Sequence, residues 1–323
     1  MRWQISFNFV VLRMISFTMD YYYKKNEKKT EFQSHLFKCT ECDPESERYC
    51  ESGRIQKGHT VNHYNLFNYY TYLLYAPLYL AGPIISFNNF IYQLRKTPKT
   101  LTIRQIALYS LRWVGLFLLM ELMMHFLYVV AIKDTKAWKG FGSLEIFTLG
   151  YFNLNVIYLK LMVMWRFFRL WAMVDGIETQ ENMTQCITNQ YSCSGFWKGW
   201  HASYNKWLIR YLYIPLGGAQ YRAFNSFLIF AFVALWHDIQ LKMLAWGLLI
   251  PLFILPEIIS TRYLCTKTVR EQLGSWHLHL CAFGGIINLW TMIIANLIGF
   301  AVGLDGIMEM GAQLFQPSGI LFI

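Results

Sequence analysis

Charge is what this sequence lacks. Of 323 residues only 15% are Asp, Glu, Lys or Arg, whereas 55% are hydrophobic and 18% aromatic. A typical soluble domain is about 25% charged, so a globule of this size could not hide so much apolar surface behind so few charges. The same composition excludes disorder, a collagen-like repeat and a coiled coil. Internal repeats and low-complexity tracts are absent as well. No secretory signal is evident: residues 5–19 are apolar but contain Arg13, and no small-residue cleavage site follows. The seven cysteines do not form a disulfide framework, because Cys186, Cys193, Cys265 and Cys281 are scattered and only Cys39, Cys42 and Cys50 cluster.

What is there reads as an all-α, polytopic membrane protein, with residues 1–323 as one membrane domain. The 29 basic residues outnumber the 19 acidic ones, for a net charge of +10. In a membrane chain this excess suits cytoplasmic loops facing anionic lipid. No basic stripe lies on a soluble element, so a nucleic-acid partner is not expected.

Along the chain, a short apolar segment ends at Asp20, and residues 21–63 read as a solvated polar loop carrying Lys24, Lys25, Glu27, Lys28 and Lys29. Residues 58–94 contain no Asp, Glu, Lys or Arg, yet Pro77, Gly82 and Pro83 interrupt them, which predicts a broken or re-entrant helix. Arg95, Lys96, Lys99 and Arg104 mark a basic loop expected on the cytoplasmic side. Spans are expected over 104–132, over 144–173 (long enough to tilt or run into the interface) and over 273–304, with further apolar segments at 223–237 and 242–259. Residues 196–213 look amphipathic and end at Gly217-Gly218. The total is about five or six spans plus re-entrant pieces, at about 20 residues per crossing. The tail, 305–323, ends in a short apolar stretch.

Trp200-His201 and Trp236-His237 each place a histidine after a tryptophan, and His237 closes an apolar run. An ionisable group at such a depth is costly and marks a functional candidate. Imidazole titrates near neutrality and can take a proton from an alcohol. The bland alternative, a helix-end histidine bonded to a backbone carbonyl, has about even odds on physics alone.

Four stretches carry a resemblance: TYLLYAPLYLAGPIISFNNF (71–90), WHASYNKWLIRYLYIPLGG (200–218), FAFVALWHDI (230–239) and NLWTMIIANLIGF (288–300). On them the chain resembles the membrane-bound O-acyltransferase family, in the branch holding the yeast glycerol uptake proteins and, more distantly, hedgehog acyltransferase. The resemblance implies a helical bundle with re-entrant segments and a central tunnel where acyl-CoA, entering from the cytosol, meets its acceptor. It implies that His237 is the general base for an acceptor hydroxyl and that His201 orients or polarises the reactants. Acyl-CoA is then a co-substrate; no cofactor, metal or covalent enzyme intermediate is needed. It further implies a lipid acceptor, such as the hydroxyl of a glycosylphosphatidylinositol anchor, in the endoplasmic reticulum membrane or the plasma membrane. The chain would begin partway through the family fold. Two other functions stay open: a glycerol/proton transporter, which would need a polar path and often repeated halves, and an inactive regulator of the same fold.

Arg166, Arg169, Lys198, Lys206, Arg210 and Arg222 flank the histidine region. They form either a snorkelling rim or a cradle for the phosphates of CoA, for which Arg210 and Lys206 are the first candidates. Cys39, Cys42 and Cys50, with His35 or His59, could supply four zinc ligands. The Cys42–Cys50 gap is unlike a compact knuckle, so a reduced thiol cluster without metal is expected. Glu121 and His125, four residues apart, are expected to make a buried contact between helices. Asn182-Met183-Thr184 fits the glycosylation acceptor pattern. His277 and His279 read as interfacial, and Asp238 as too close in sequence to His237 to orient it.

Overall fold

The structure is a computed structural model that describes residues 3–26, 30–98, 100–301, 306–308 and 311–312. Glu27, Lys28 and Lys29 of the charge run, Lys99 of the basic loop and most of the tail lie outside the described residues. Helices dominate: α1 (Trp3–Lys25), α2 (Thr30–Lys38), α3 (Glu51–Gln56), α4 (Leu66–Leu74), α5 (Ala76–Leu80), α6 (Phe87–Arg95), α7 (Ile103–Phe126) and α8 (Val129–Asp134). There follow α9 (Ser143–Val174), α10 (Cys193–Gly199), α11 (Ala202–Leu208), α12 (Arg222–His237), α13 (Leu241–Leu264), α14 (Lys267–Leu273) and α15 (Trp276–Asn296). Among the described residues there is no strand, only two isolated bridges, Asp43 with Arg48 and Met183 with Trp200. The all-α expectation holds.

Among the described residues four helices are long and apolar enough to cross a bilayer, α7, α9, α13 and α15 with its π-helical extension to Phe300, against the five or six spans expected of the whole chain. At 16 residues α12 is shorter than the roughly 20 a crossing requires. Helix α1 has 23 residues but buries Arg13 and Asp20. Helix α9 has 32 residues, about 48 Å at 1.5 Å per residue, and outruns the roughly 30 Å hydrocarbon core. No residue of α7 is buried. Glu121 and His125 are both exposed on it, so the expected buried contact does not form; their face meets the surroundings.

The chain divides into two compact units, one made of Met1–Val114, Met164–Asn182 and Ala202–Pro215, the other of the remaining segments. In the first unit α1 buries a face of Phe9, Leu12, Arg13, Ser16 and Asp20, a spacing of three and four that keeps them on one side of a helix. Polar groups therefore point inward on α1 while Phe7, Met14 and Tyr22 are exposed. Arg13 donates to the carbonyls of Tyr72 (2.8 Å) and Leu73. These lie in the last turn of α4, where carbonyls have no helical partner. The break expected from Pro77 and Gly82 is present. Asn65 caps α4 by accepting from the Asn68 N–H at 2.9 Å, and Pro77 sits in the first turn of α5, where its missing N–H costs nothing. Gly82 is needed because a Cβ there would lie 2.6 Å from the Pro77 carbonyl oxygen. Tyr72, Leu78, Phe87, Phe90 and Ile91 form the apolar core, joined by Ala172 and Ile177.

Residues 21–63 are not the solvated loop expected. The described ones among them continue α1, form α2 and α3, and bury Arg54 and His59. Arg54 donates to Asn89 Oδ1 at 2.9 Å and to Glu178 at 2.7 Å, while His59 Nε2 lies 2.8 Å from the Asn88 carbonyl. Local charge density was high there, but tertiary partners absorb it.

In the second unit Val129, Trp138, Leu149 and Val156 make one apolar cluster. Helices α12 and α13 meet through small residues: a Cβ on Gly247 would lie 2.7 Å from Ala234 Cβ and 2.8 Å from the Phe230 carbonyl oxygen. Such close approach is how membrane helices gain contact without a hydrophobic drive.

Candidate active site

The amphipathic stretch expected at 196–213 is broken at His201. Helix α10 ends at Gly199, and His201 takes a left-handed backbone (φ 46°) before α11 begins at Ala202. A non-glycine residue there carries about 1–2 kcal/mol of backbone cost, and such outliers persist where the surroundings fix them. The surroundings do so. Thr184 N–H donates to the Gly199 carbonyl at 3.1 Å, and Met183 bridges Trp200. At the other end of α10, Glu257 of α13 accepts from Ser192 Oγ and the Cys193 N–H, both at 2.6 Å, and from the Ser194 N–H at 3.3 Å. Glu257 thus anchors the element that delivers His201. Sequence reasoning missed it, although it is the only acidic residue of α13, and an acid in an apolar helix is itself a signal.

His237 is the last residue of α12. Its ring centroid lies 5.0 Å from Trp236, 5.8 Å from Trp246 and 5.6 Å from Phe300, the last two nearly perpendicular. Trp236 also lies 6.5 Å from the His201 ring. One indole therefore lies near both imidazoles, and both histidines belong to the second unit. His201 is buried, at 7% exposure, whereas His237 is exposed. The two imidazoles thus differ in exposed area, although aromatic rings pack against both. Burial, and after it the nearby His237, lowers the His201 pKa to about 3, so it is neutral at physiological pH. Asp238 turns away to accept from Gln240 at 2.6 Å and does not orient His237.

A cavity of about 210 Å³ opens in the same unit, lined by Phe147, Tyr151, Phe196, Trp200, Met292 and Phe300 among others. Neither histidine lines it. Trp200, which precedes His201, and Phe300, which packs on His237, both do. An apolar cavity with few polar groups suits an aliphatic ligand.

The six flanking cations separate. Arg166 and Arg169 pair with Glu181 (3.1 and 3.8 Å), Lys206 with Glu51 (3.2 Å) and Arg210 with Asp20 (3.1 Å), all within the first unit. Arg210 also donates to the Ile55 carbonyl and lies over the rings of Tyr23 and Tyr211. Burial works against its charge, but Asp20 and Tyr211 outweigh this and raise its pKa. Arg210 is thus a structural ion-pair partner, and Lys206 is tied only by an exposed pair, worth about 0–1 kcal/mol. Lys198 and Arg222 are exposed in the second unit and form no ion pair among the described residues. Asn182, the expected glycosylation acceptor, is 1% exposed and accepts from Ser203 Oγ at 2.6 Å, which closes it to modification in the folded chain.

The sequence model of the membrane-bound O-acyltransferase family matches residues 1–304. This chain belongs to that family. Among its relatives, membrane-bound O-acyltransferase GUP1 of Saccharomyces cerevisiae is 44% identical over 324 residues, covering 100% of this chain and 57% of the relative. Membrane-bound O-acyltransferase gup1 of Schizosaccharomyces pombe is 43% identical over 97% of this chain and 53% of its own length. Protein-cysteine N-palmitoyltransferase HHAT of Mus musculus is 29% identical over 72% of this chain and 50% of its own. The chain spans little more than half the length of these membrane-bound O-acyltransferase relatives. Family membership and the four apolar helices together make it a multi-pass membrane protein.

Proposed function

We propose that the chain transfers a long fatty acyl group from acyl-CoA to the hydroxyl of a lipid acceptor. The observation that carries this reading is the pairing of an exposed imidazole, His237, with a buried one, His201, near Trp236, in a member of an acyltransferase family. His237 takes the proton from the acceptor O–H as its oxygen attacks the thioester carbonyl. The tetrahedral intermediate collapses with loss of the C–S bond, and the leaving thiolate of CoA takes the proton back from the imidazolium. The products are an ester and CoA, and His237 ends neutral. General base assistance of this kind supplies about 10²–10⁴-fold. His201, neutral and buried, serves to orient or polarise the reactants. The apolar walls around Trp200 and Phe300 would keep water from the thioester.

For the phosphates of CoA, Lys198 and Arg222 are candidates within the histidines' own unit, exposed and without an ion pair among the described residues. On the likeness to the yeast relatives, we extend the proposal to an acceptor of the glycosylphosphatidylinositol type in the endoplasmic reticulum membrane.

The test is acyl transfer from labelled acyl-CoA in membranes expressing the chain. His237→Ala should lower transfer about 10²-fold or more with expression intact, and His201→Ala should lower it less. Equal transfer by His237→Ala and parent would refute the base assignment. Uptake of labelled glycerol into vesicles without acyl-CoA would favour transport instead.

A further inference from the structure

The segment 35–53 holds a second constellation that acyl transfer does not use. His35 from α2, Cys39 and Cys42 from the following loop and Cys50 at the start of α3 bring one ligand atom each to within 4.8 Å of one another. His35 Nε2 lies 3.2 Å from Cys50 Sγ and 3.5 Å from Cys42 Sγ, and Cys39 Sγ lies 3.8 Å from Cys50 Sγ. His59, the other histidine considered from sequence, is held elsewhere by Asn88.

These separations can be compared with what a metal would impose. Zinc bonds sulfur at about 2.3 Å and imidazole nitrogen at about 2.0–2.1 Å. A tetrahedral angle then puts sulfurs about 3.8 Å apart and sulfur and nitrogen about 3.6 Å apart. The observed distances match that edge length. They do not match a disulfide, whose sulfurs sit about 2.05 Å apart. Backbone groups also face the thiols: the Cys50 N–H donates to Cys42 Sγ and the Gly53 N–H to Cys50 Sγ, each at 3.4 Å. Donors of this kind support metal-bound thiolates. Gly53 closes one side, since a Cβ there would lie 3.1 Å from Cys42 Sγ and 3.6 Å from His35 Nε2.

We propose that His35, Cys39, Cys42 and Cys50 bind a structural zinc ion. Three thiolates and an imidazole in a tetrahedron select zinc over harder cations, and four protein ligands leave no open position for chemistry. The ion would staple α2 and the 39–50 loop to α3. That helix delivers Arg54 to Asn89 and Glu178, while neighbouring Tyr49 packs 5.9 Å from Tyr92 of α6. A segment with little apolar core of its own would gain its order from metal binding. The Cys42–Cys50 gap, which argued against a compact knuckle, is accommodated because Asp43 and Arg48 pair backbone to backbone and fold the intervening residues into a turn.

The experiment is elemental analysis and zinc-edge X-ray absorption on the full chain purified in detergent. The expected result is about one zinc per chain, with sulfur neighbours near 2.3 Å and a nitrogen near 2.0–2.1 Å. Cys42→Ser should lose the metal, while Cys281→Ser should keep it; Cys281 is exposed and belongs to the separate trio Cys265, His277 and Cys281. A parent without zinc, a Cys42→Ser protein that keeps it, zinc lost on Cys281→Ser, or a disulfide joining Cys39 and Cys50 in the intact mass would each overturn the proposal. If Cys42→Ser does not fold, the parent's metal content and absorption spectrum decide alone.

Discussion

Asp20 in the first unit accepts from the Asn88 N–H (3.0 Å), the Tyr211 hydroxyl (2.9 Å) and Arg210 (3.1 Å), and Arg54 is likewise matched by Glu178 and Asn89. In the second unit the rings of Trp236, Trp246 and Phe300 pack against His201 or His237 instead. Both units put ionisable groups among apolar ones. The first neutralises them with fixed partners, which makes them structural. The second keeps His201 neutral by burial, and on the proposed function a neutral imidazole keeps its capacity to take a proton.

If that contrast is right, breaking a matched pair should cost folding more than breaking an aromatic neighbour of a histidine. Asp20→Ala leaves the Arg210 guanidinium without its carboxylate and should cost about 3–5 kcal/mol, read as a large fall in thermal midpoint of the protein in detergent. An unchanged midpoint would break the comparison. Gly247→Val tests the second unit. The added Cβ meets Ala234 Cβ at 2.7 Å and the Phe230 carbonyl oxygen at 2.8 Å, so α12 must move, at about 1–3 kcal/mol, and transfer should fall with it because α12 carries His237. Gly284→Ala, with nothing within 4 Å of the new Cβ, should leave both measurements unchanged.

The smallest effect sharpens the contrast through pH. The His201 pKa falls to about 3 in the fold from about 6.5 in an unfolded chain. Below pH 6.5 the unfolded state therefore binds more protons. Stability from the neutral ring is present above that pH and drains away as pH drops toward 3. His201→Gln should make the loss of thermal midpoint between pH 7 and pH 5 shallower. His59, also lowered by burial, remains in the variant and keeps part of the slope. A slope identical to the parent's would remove His201 from this account.

The apolar spans and the break at Pro77 and Gly82 were legible because each is a local signal: composition over about 20 residues, or a helix breaker. What was not legible depended on distant partners. Residues 21–63 look solvated until Arg54 meets Glu178, 124 positions away. Arg210 looks like a phosphate ligand until Asp20, 190 positions away, takes it. The inward polar face of α1 could have been found from the spacing of Arg13, Ser16 and Asp20, had polarity been sought at helical period as apolarity was. Glu257 was likewise visible as an acid alone in an apolar helix.

The left-handed backbone at His201 sets two selection pressures against each other. Glycine adopts φ near 46° without steric cost, so His201→Gly should relax the main chain by about 1 kcal/mol while deleting the ring. A screen that rewards heat resistance alone would drift toward glycine at this position, whereas, on the proposed function, a screen that scores ester formation would hold the histidine there.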